Sequence, residues 1–386
     1  MRIAFVYDRV NKWGGAERVL LALHEIWPEA PLFTAVYDPR GAPWARVFQV
    51  HTSFMQHLPF AKSHHELYPW LTPMAFETFD FSGFDVVITV TSAEAKSIIT
   101  KPGTLHICYC LTPTRYLWSG RQDYQDNPGM GLLSAPARIL MNTVSTLLKR
   151  WDLSAAWRPD SYIAVSHHVA ERIKKYYRRE VEAIIYPPVD MNKVKSSREA
   201  GSRSARQKSK VKSEGQNNYF LVVSRLVSYK RVDLIIDAFN ELGWPLVVIG
   251  DGWQKRELMH KAKNNIKFVS SNLTDHELVG YYGNCRAFIH AADEDFGLAA
   301  AEAQGCGRPV ISFRNSGVAE IVQEGKTGLF FARQTKEDII HALTNFGKQA
   351  FSEADCRTNA LRFSKTEFKR SFLRIVELLL NNYQNT

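Results

Sequence analysis

No window of the sequence approaches the roughly 18 uninterrupted apolar residues of a membrane-spanning helix, so no such span is expected. Cysteine is scarce, with five in 386 residues: Cys108, Cys110, Cys285, Cys306 and Cys356. An odd number at these spacings fits neither a zinc ribbon nor a disulfide framework. Five buried, reduced thiols in a reducing compartment are expected instead. The G-x-G-x-x-G fingerprint of dinucleotide binding is missing, which argues against a nicotinamide enzyme. No leader is expected ahead of the fold, because Arg2-Ile3-Ala4-Phe5-Val6-Tyr7 already reads as a strand. The expected location is the cytoplasm. No short-period repeat stands out.

What is present is ordinary for a globular chain: 45% apolar and 23% charged residues. At roughly 100–200 residues per domain, the length implies two domains. The net charge of +10 is unevenly spread. Residues 195–216 carry seven Lys or Arg against two Glu, a net +5, and Val211 is their one large aliphatic residue. Such a stretch cannot bury enough surface to offset its ordering entropy, and it reads as a flexible basic linker. No aromatic residue is interleaved there to stack on bases, so nucleic acid is not an expected partner. A solvated linker and a contact with anionic lipid headgroups at the membrane surface both remain open.

On either side of this segment strands alternate with helices, the pattern of parallel α/β domains. In the first half, strands are predicted at 3–7, 86–90, 105–110 and 162–165, with long helices near 135–149 and 168–177. The helix after the first strand carries Ala16, Val19, Leu20, Leu23, Ile26 and Trp27 at close to a 3.6 period. The second half restarts with a strand at 219–224 and a helix at 232–242. Strands follow at 245–249, 267–269, 287–290 and 309–313. The tail from Lys365 to Asn381 is amphipathic. The predicted fold is two Rossmann-like domains facing across a cleft at their strand carboxyl ends. The expected bounds are 1–190, the basic linker 191–217, 218–364, and a final helix 365–386.

Several short runs could carry chemistry. Gly14-Gly15 follows the first strand and opens a helix; it reads either as a tight turn or as a place for an anion at free amides. Arg225 and Lys230 lie just past the first strand of the second half. Two cations five apart there would hold a diphosphate or simply be solvated. Gly250 ends another strand as part of Gly250-Asp251-Gly252, a tight turn or a ligand edge. Glu294 and Glu302 are eight apart, about 12 Å if both lie on one helix. That is too far for the carboxylate pair of a typical glycosidase but suits a grip on two ends of an extended ligand. The amides of Phe296, Gly297 and Leu298 would lie between them. Acidic residues at a helix start also serve the helix dipole, so spacing leaves both readings. Asp293-Glu294-Asp295 spells D-x-D, which elsewhere binds a divalent metal. No further cluster completes a coordination shell, and no metal is expected.

Together these runs resemble the retaining glycosyltransferases of family 4, which have the GT-B fold. The likeness rests on GGAERV (14–19), YPPVD (186–190), SRLVSYKRVDLIIDAF (224–239), IGDG (249–252) and EDFGLAAAEAQGCGRPVI (294–311) in that order. PTRYLW (113–118) and AFETFDFSGFDVVIT (75–89) look most like bacterial mannosyltransferases of polysaccharide and O-antigen assembly. The resemblance implies that Arg225 and Lys230 stabilise a departing diphosphate. Glu294, with the amides of Phe296–Leu298, would hold sugar hydroxyls, and Glu302 the ribose. Phe268 and Val269 would line the base. Gly14, Gly15 and Arg115 would complete the substrate-binding set, and the final helix would pack back on the first, acceptor-binding domain. It further implies a nucleotide-diphosphate sugar as co-substrate, GDP-mannose first and a UDP-sugar as alternative. The acceptor would be a glycan or lipid-linked glycan, with no cofactor. Relatives often place a histidine just before the T-P of T-P-x-R-Y; this chain has Leu111 there.

Overall fold

The computed structural model describes residues 1–64, 68–119, 134–191 and 219–385. Apart from Met191, the expected basic linker lies outside the described residues. The chain divides into two units, Met1–Pro187 with Phe368–Thr386, and Pro188–Glu367.

The first unit runs β1 (Ile3–Tyr7), α1 (Gly15–His24), β2 (Leu32–Thr34), β3 (Val50–Thr52), α2 (Thr72–Glu77), β4 (Val86–Thr91), β5 (Leu105–Cys110), α3 (Ser134–Ala155), β6 (Ser161–Ala164), α4 (His167–Tyr177) and β7 (Ala183–Ile184). The sheet is parallel throughout, in the order β3-β2-β1-β4-β5-β6-β7. The central strands β1, β4 and β5 are buried at every position. β1 therefore reads as a continuous apolar run rather than as alternation, and β4 and β5 admit only the buried Thr89, Thr91 and His106 as polar members, as expected where helices cover both faces.

At the carboxyl ends of β1 and β4, where the strand order reverses, the Asp8 carboxylate ties the edge together. It accepts from Thr91 Oγ1 (2.7 Å), Ser92 N (2.8 Å) and Ala95 N (2.9 Å). Beside it lies a fully buried ion pair. Lys96 Nζ donates to Asp152 Oδ1 at 2.5 Å, with side chains 1% and 0% exposed. All five cysteines are buried and none forms a disulfide. His106 is also core. It is the second residue of β5, its Nε2 lies 3.1 Å from Thr89 Oγ1, and burial lowers its pKa to about 3.

The second unit continues with β8 (Tyr219–Val223), α5 (Val232–Leu242), β9 (Leu246–Ile249), α6 (Lys255–Lys261), β10 (Ile266–Val269), α7 (Asp275–Asn284), β11 (Cys285–His290), α8 (Leu298–Gly305), β12 (Val310–Phe313), β13 (Gly328–Phe331), α9 (Lys336–Phe346) and α10 (Glu353–Ala360). Its sheet, again parallel, is ordered β10-β9-β8-β11-β12-β13. Local signals set the helix starts. A capping box opens α7: Thr274 Oγ1 accepts from Glu277 N (3.2 Å) while the Glu277 carboxylate accepts from Thr274 N (2.8 Å).

The last helix, α11 (Lys365–Gln384), passes from the second unit into the first. Phe368, Phe372, Val376 and Leu379 recur at helical spacing and are buried in the first unit's core. Phe372 packs edge-on against Tyr109, ring centroids 5.4 Å apart, and against Trp27 at 6.3 Å. Lys369 Nζ reaches Glu25 at 3.2 Å. Leu379→Ala is expected to destabilise the first unit by about 2–3 kcal/mol. A lower urea midpoint with unchanged slope would show it.

Candidate active site

The second sheet reverses its order between β8 and β11, the strands whose carboxyl ends carry the sequence's cationic and acidic runs. A doubly wound sheet offers its ligand crevice at this point. After β8 the chain turns through Arg225 and a 3-10 turn, Ser228–Lys230, before α5. After β11 it passes through residues 291–297 to reach α8. Two segments 64 residues apart in sequence thus meet.

Lys230 Nζ forms an ion pair with the Oε2 of Glu294, the two side chains being 10% and 19% exposed. The same carboxylate oxygen lies 3.7 Å from His290 Nε2. Arg225 is exposed and donates to the hydroxyl of Tyr229, its guanidinium 5.8 Å from that ring's centroid. Lys230 Nζ stands 5.4 Å from the same ring. Tyr229 thereby spaces the two cations at one edge.

The loop before α8 is held by backbone contacts. Gly317 N donates to Glu294 O at 2.7 Å, and Ser316 Oγ accepts from Glu294 N at 3.2 Å. A Cβ at Gly317 would meet Asp295 O at 2.2 Å, so no side chain fits. Gly297, the N-cap of α8, has φ +96, a backbone that L side chains rarely adopt. Glu294 therefore lies in the loop ahead of the helix that carries Glu302, and the distance of about 12 Å that a shared helix would give does not apply. α8 begins only at Leu298, and the left-handed Gly297 separates the loop carboxylate from the helical one. Glu302 lies on α8 and accepts from Tyr282 Oη at 3.1 Å. Phe296 is buried and packs edge-on against Phe363, centroids 5.3 Å apart. Only the half-buried Gly297 and Leu298 of that trio offer surface at the helix start.

Gly250 follows β9, and Phe268 and Val269 end β10 at the sheet edge, half-buried. Leu226 N donates to Asp251 O at 2.8 Å, which joins the β8 and β9 turns. A surface hollow of about 500 Å³ lies beyond this turn, lined by Trp253, Lys255, Arg256, Met259 and His260 with Gly252; neither Glu294 nor Lys230 borders it. Among the described residues no three His, Cys, Asp or Glu side chains converge as a metal site would require.

The other sequence-predicted residues belong to the first unit. Gly14 caps α1 and Gly15 begins it. There the buried Glu17 accepts from Tyr7 Oη at 2.7 Å, and burial raises its carboxyl pKa. Arg115 is half-buried after β5. Sequence reasoning passed over two groups. At the carboxyl edge of the first sheet, Glu94 is 4% exposed, 3.3 Å from Arg9 Nη2 and hydrogen-bonded by Tyr116; burial raises its pKa. In the second unit His290 was missed. Both read locally as ordinary strand-end residues, and no spacing rule singles them out.

Residues 204–363 match the family model described as Glycosyl transferases group 1. An uncharacterized glycosyltransferase of Methanocaldococcus jannaschii is 32% identical over 136 residues, 33% of this chain and 37% of that one. A GDP-mannose-dependent alpha-mannosyltransferase of Corynebacterium glutamicum is 29% identical over 130 residues, 33% of this chain and 31% of that one. The chain thus matches about a third of the length of these two relatives. The Anabaena protein HepE, solved with UDP and glucose, superposes with a TM-score of 0.69 at 16% identity, covering 98% of this chain and 99% of that one. The second unit carries a glycosyl transferases group 1 domain, and the fold is GT-B, with two parallel-sheet, Rossmann-like domains.

Proposed function

We propose that the chain is a retaining glycosyltransferase that moves a hexose from a nucleotide-diphosphate sugar to a glycan or lipid-linked glycan acceptor. The observation that carries this reading is the meeting of Lys230 and Glu294 at the switch point of the second sheet. A cation and a carboxylate held together there match the two ends of the bond to be broken. Lys230 and Arg225 stabilise the diphosphate as it leaves, and Glu294 holds sugar hydroxyls. Glu302, oriented by Tyr282, takes the ribose, and Phe268, Val269 and Gly250 border the base. Gly14, Gly15 and Arg115, in the first unit, are assigned to substrate binding.

As the anomeric C–O bond to phosphate breaks, the departing phosphate oxygen takes the proton of the attacking hydroxyl. The new C–O bond then forms on the same face through an oxocarbenium-like transition state. Catalysis on this reading is chiefly electrostatic, with Arg225 and Lys230 countering charge that a metal would otherwise counter. The likeness to a GDP-mannose-dependent enzyme supports mannose as the first donor sugar, in polysaccharide or O-antigen assembly. A UDP-sugar is the second reading, favoured by the UDP and glucose in HepE. A cytoplasmic enzyme peripheral to the membrane fits a lipid-linked acceptor, and no described helix is long and apolar enough to cross a bilayer.

A thermal-shift series with GDP, UDP, ADP and an oligonucleotide, each with and without EDTA, tests the reading. One nucleoside diphosphate should raise the melting temperature by several degrees, equally in EDTA. A rise with the oligonucleotide alone would overturn it.

A further inference from the structure

His290 is the last residue of β11, a central strand, and its side chain is 9% exposed. Its Nε2 is buried and has no hydrogen-bond partner among the described residues. Ser312, its register partner on β12, likewise carries a buried Oγ without a partner. Buried polar atoms are nearly always satisfied, so two neighbouring exceptions at one strand-end edge call for a ligand-linked explanation. The nearest acceptor to the imidazole named above is Glu294 Oε2, at 3.7 Å, the oxygen that Lys230 also engages. A diphosphate would compete with this carboxylate for the one ammonium. Drawing Lys230 toward phosphate weakens its ion pair with a carboxylate that is 19% exposed and lies within reach of the imidazole.

We propose that His290 is a positioning residue for Glu294: its Nε2–H holds Oε2 when Lys230 turns to the donor's diphosphate, leaving Oε1 to accept from a sugar hydroxyl. A hydrogen bond needs the 3.7 Å separation to close by about 0.8 Å, within reach of a carboxylate rotation. Charge favours the arrangement. Burial first, and Lys230 next to it, lower the His290 pKa to about 4 against the opposing pull of Glu294. The ring therefore donates as a neutral group and adds no rival cation beside the phosphate. Phe288, two residues earlier, lies nearly parallel to the ring, centroids 6.5 Å apart.

The inference rests on the second unit binding a nucleotide sugar, and the test separates the two. Calorimetry on the full chain would measure the affinity for GDP and GDP-mannose, and for UDP and UDP-glucose, in His290→Leu and His290→Gln. With His290→Leu, the nucleoside diphosphate should bind within about twofold of the unchanged protein, while the nucleotide sugar weakens roughly tenfold. His290→Gln, whose amide can donate without carrying charge, should restore most of that difference. The inference is overturned if His290→Leu weakens both ligands equally, as a merely structural role would, if it weakens neither, or if glutamine fails to rescue. Should no pair bind the unchanged protein, the glycosyltransferase reading falls, and this inference with it.

Discussion

Lys230→Ala is expected to lower kcat by roughly 100- to 1000-fold, the loss typical of removing one preorganised charge partner of a transition state. Two effects act in the same direction on the proposed reading. The ammonium assigned to the diphosphate is gone, and Glu294 loses its ion pair with it. Because charge on the phosphate grows as the bond breaks, the loss falls on kcat more than on KM. Arg225→Ala should act in the same sense but less, since Arg225 is exposed and leans on Tyr229. Glu302→Gln should instead raise the donor KM with kcat nearly kept, because a ribose contact is alike in ground and transition states. Steady-state kinetics with saturating acceptor would read all three. Activity that requires Mg²⁺, collapses in Asp293→Ala and Asp295→Ala, and survives loss of both Arg225 and Lys230 would replace the cationic reading with a metal one.

Lys96→Met is expected to destabilise the first unit by about 3–5 kcal/mol, a large share of the 5–15 kcal/mol that holds a domain folded. The Lys96 ammonium spends its three donors on Ala93 O (2.6 Å), Thr114 Oγ1 (3.1 Å) and Asp152 Oδ1 (2.5 Å). Asp152 also accepts from Thr114 Oγ1 and Trp118 Nε1, both at 2.7 Å. Burial alone would pull the Lys96 pKa down, but the adjacent Asp152 outweighs it and the pKa ends raised. Methionine keeps the volume of the stem and removes only the charge, which strands Asp152 as a buried anion. Adding Asp152→Asn removes that anion while its amide oxygen still accepts from Trp118 Nε1 and its NH2 faces the Thr114 hydroxyl, which can turn to accept, and should recover at least half of the loss. Urea unfolding of the three proteins measures this; a single variant within about 1 kcal/mol of the original would refute the assignment.

How much of this was legible varied with the range of the interaction. Ile3–Tyr7 and Tyr219–Val223 announce themselves because strands buried on both faces must be continuously apolar. Leu32–Thr34 and Val50–Thr52 escaped, since three residues are too few to show a period. Gly328–Phe331 reads locally as a turn followed by two aromatics, and it becomes a strand only by pairing with Val310–Phe313. At the site, residue types and order pointed to Lys230 and Glu294 separately. Their pairing depends on two strand ends 64 residues apart, about which spacing says nothing. Lys96 carries no local signal of its burial, because its partner Asp152 is 56 residues away. The eight-residue interval between the two glutamates fixes no distance, because a left-handed glycine separates the loop that carries Glu294 from the helix that carries Glu302.

That α11 completes the first unit has a consequence for the order in which the protein comes into being. Between Pro187 and Phe368 the ribosome must make the whole of the second unit. At roughly 5–20 residues per second, that interval is about 10–40 s. For that time Tyr109 and Trp27 await the ring of Phe372, and a patch of the nascent first unit stays uncovered. The segment Pro188–Glu367 has by then been synthesised entirely. The usual vectorial order is thus inverted: the half begun first is the half finished last, and a chaperone that shields it has a defined window in which to act.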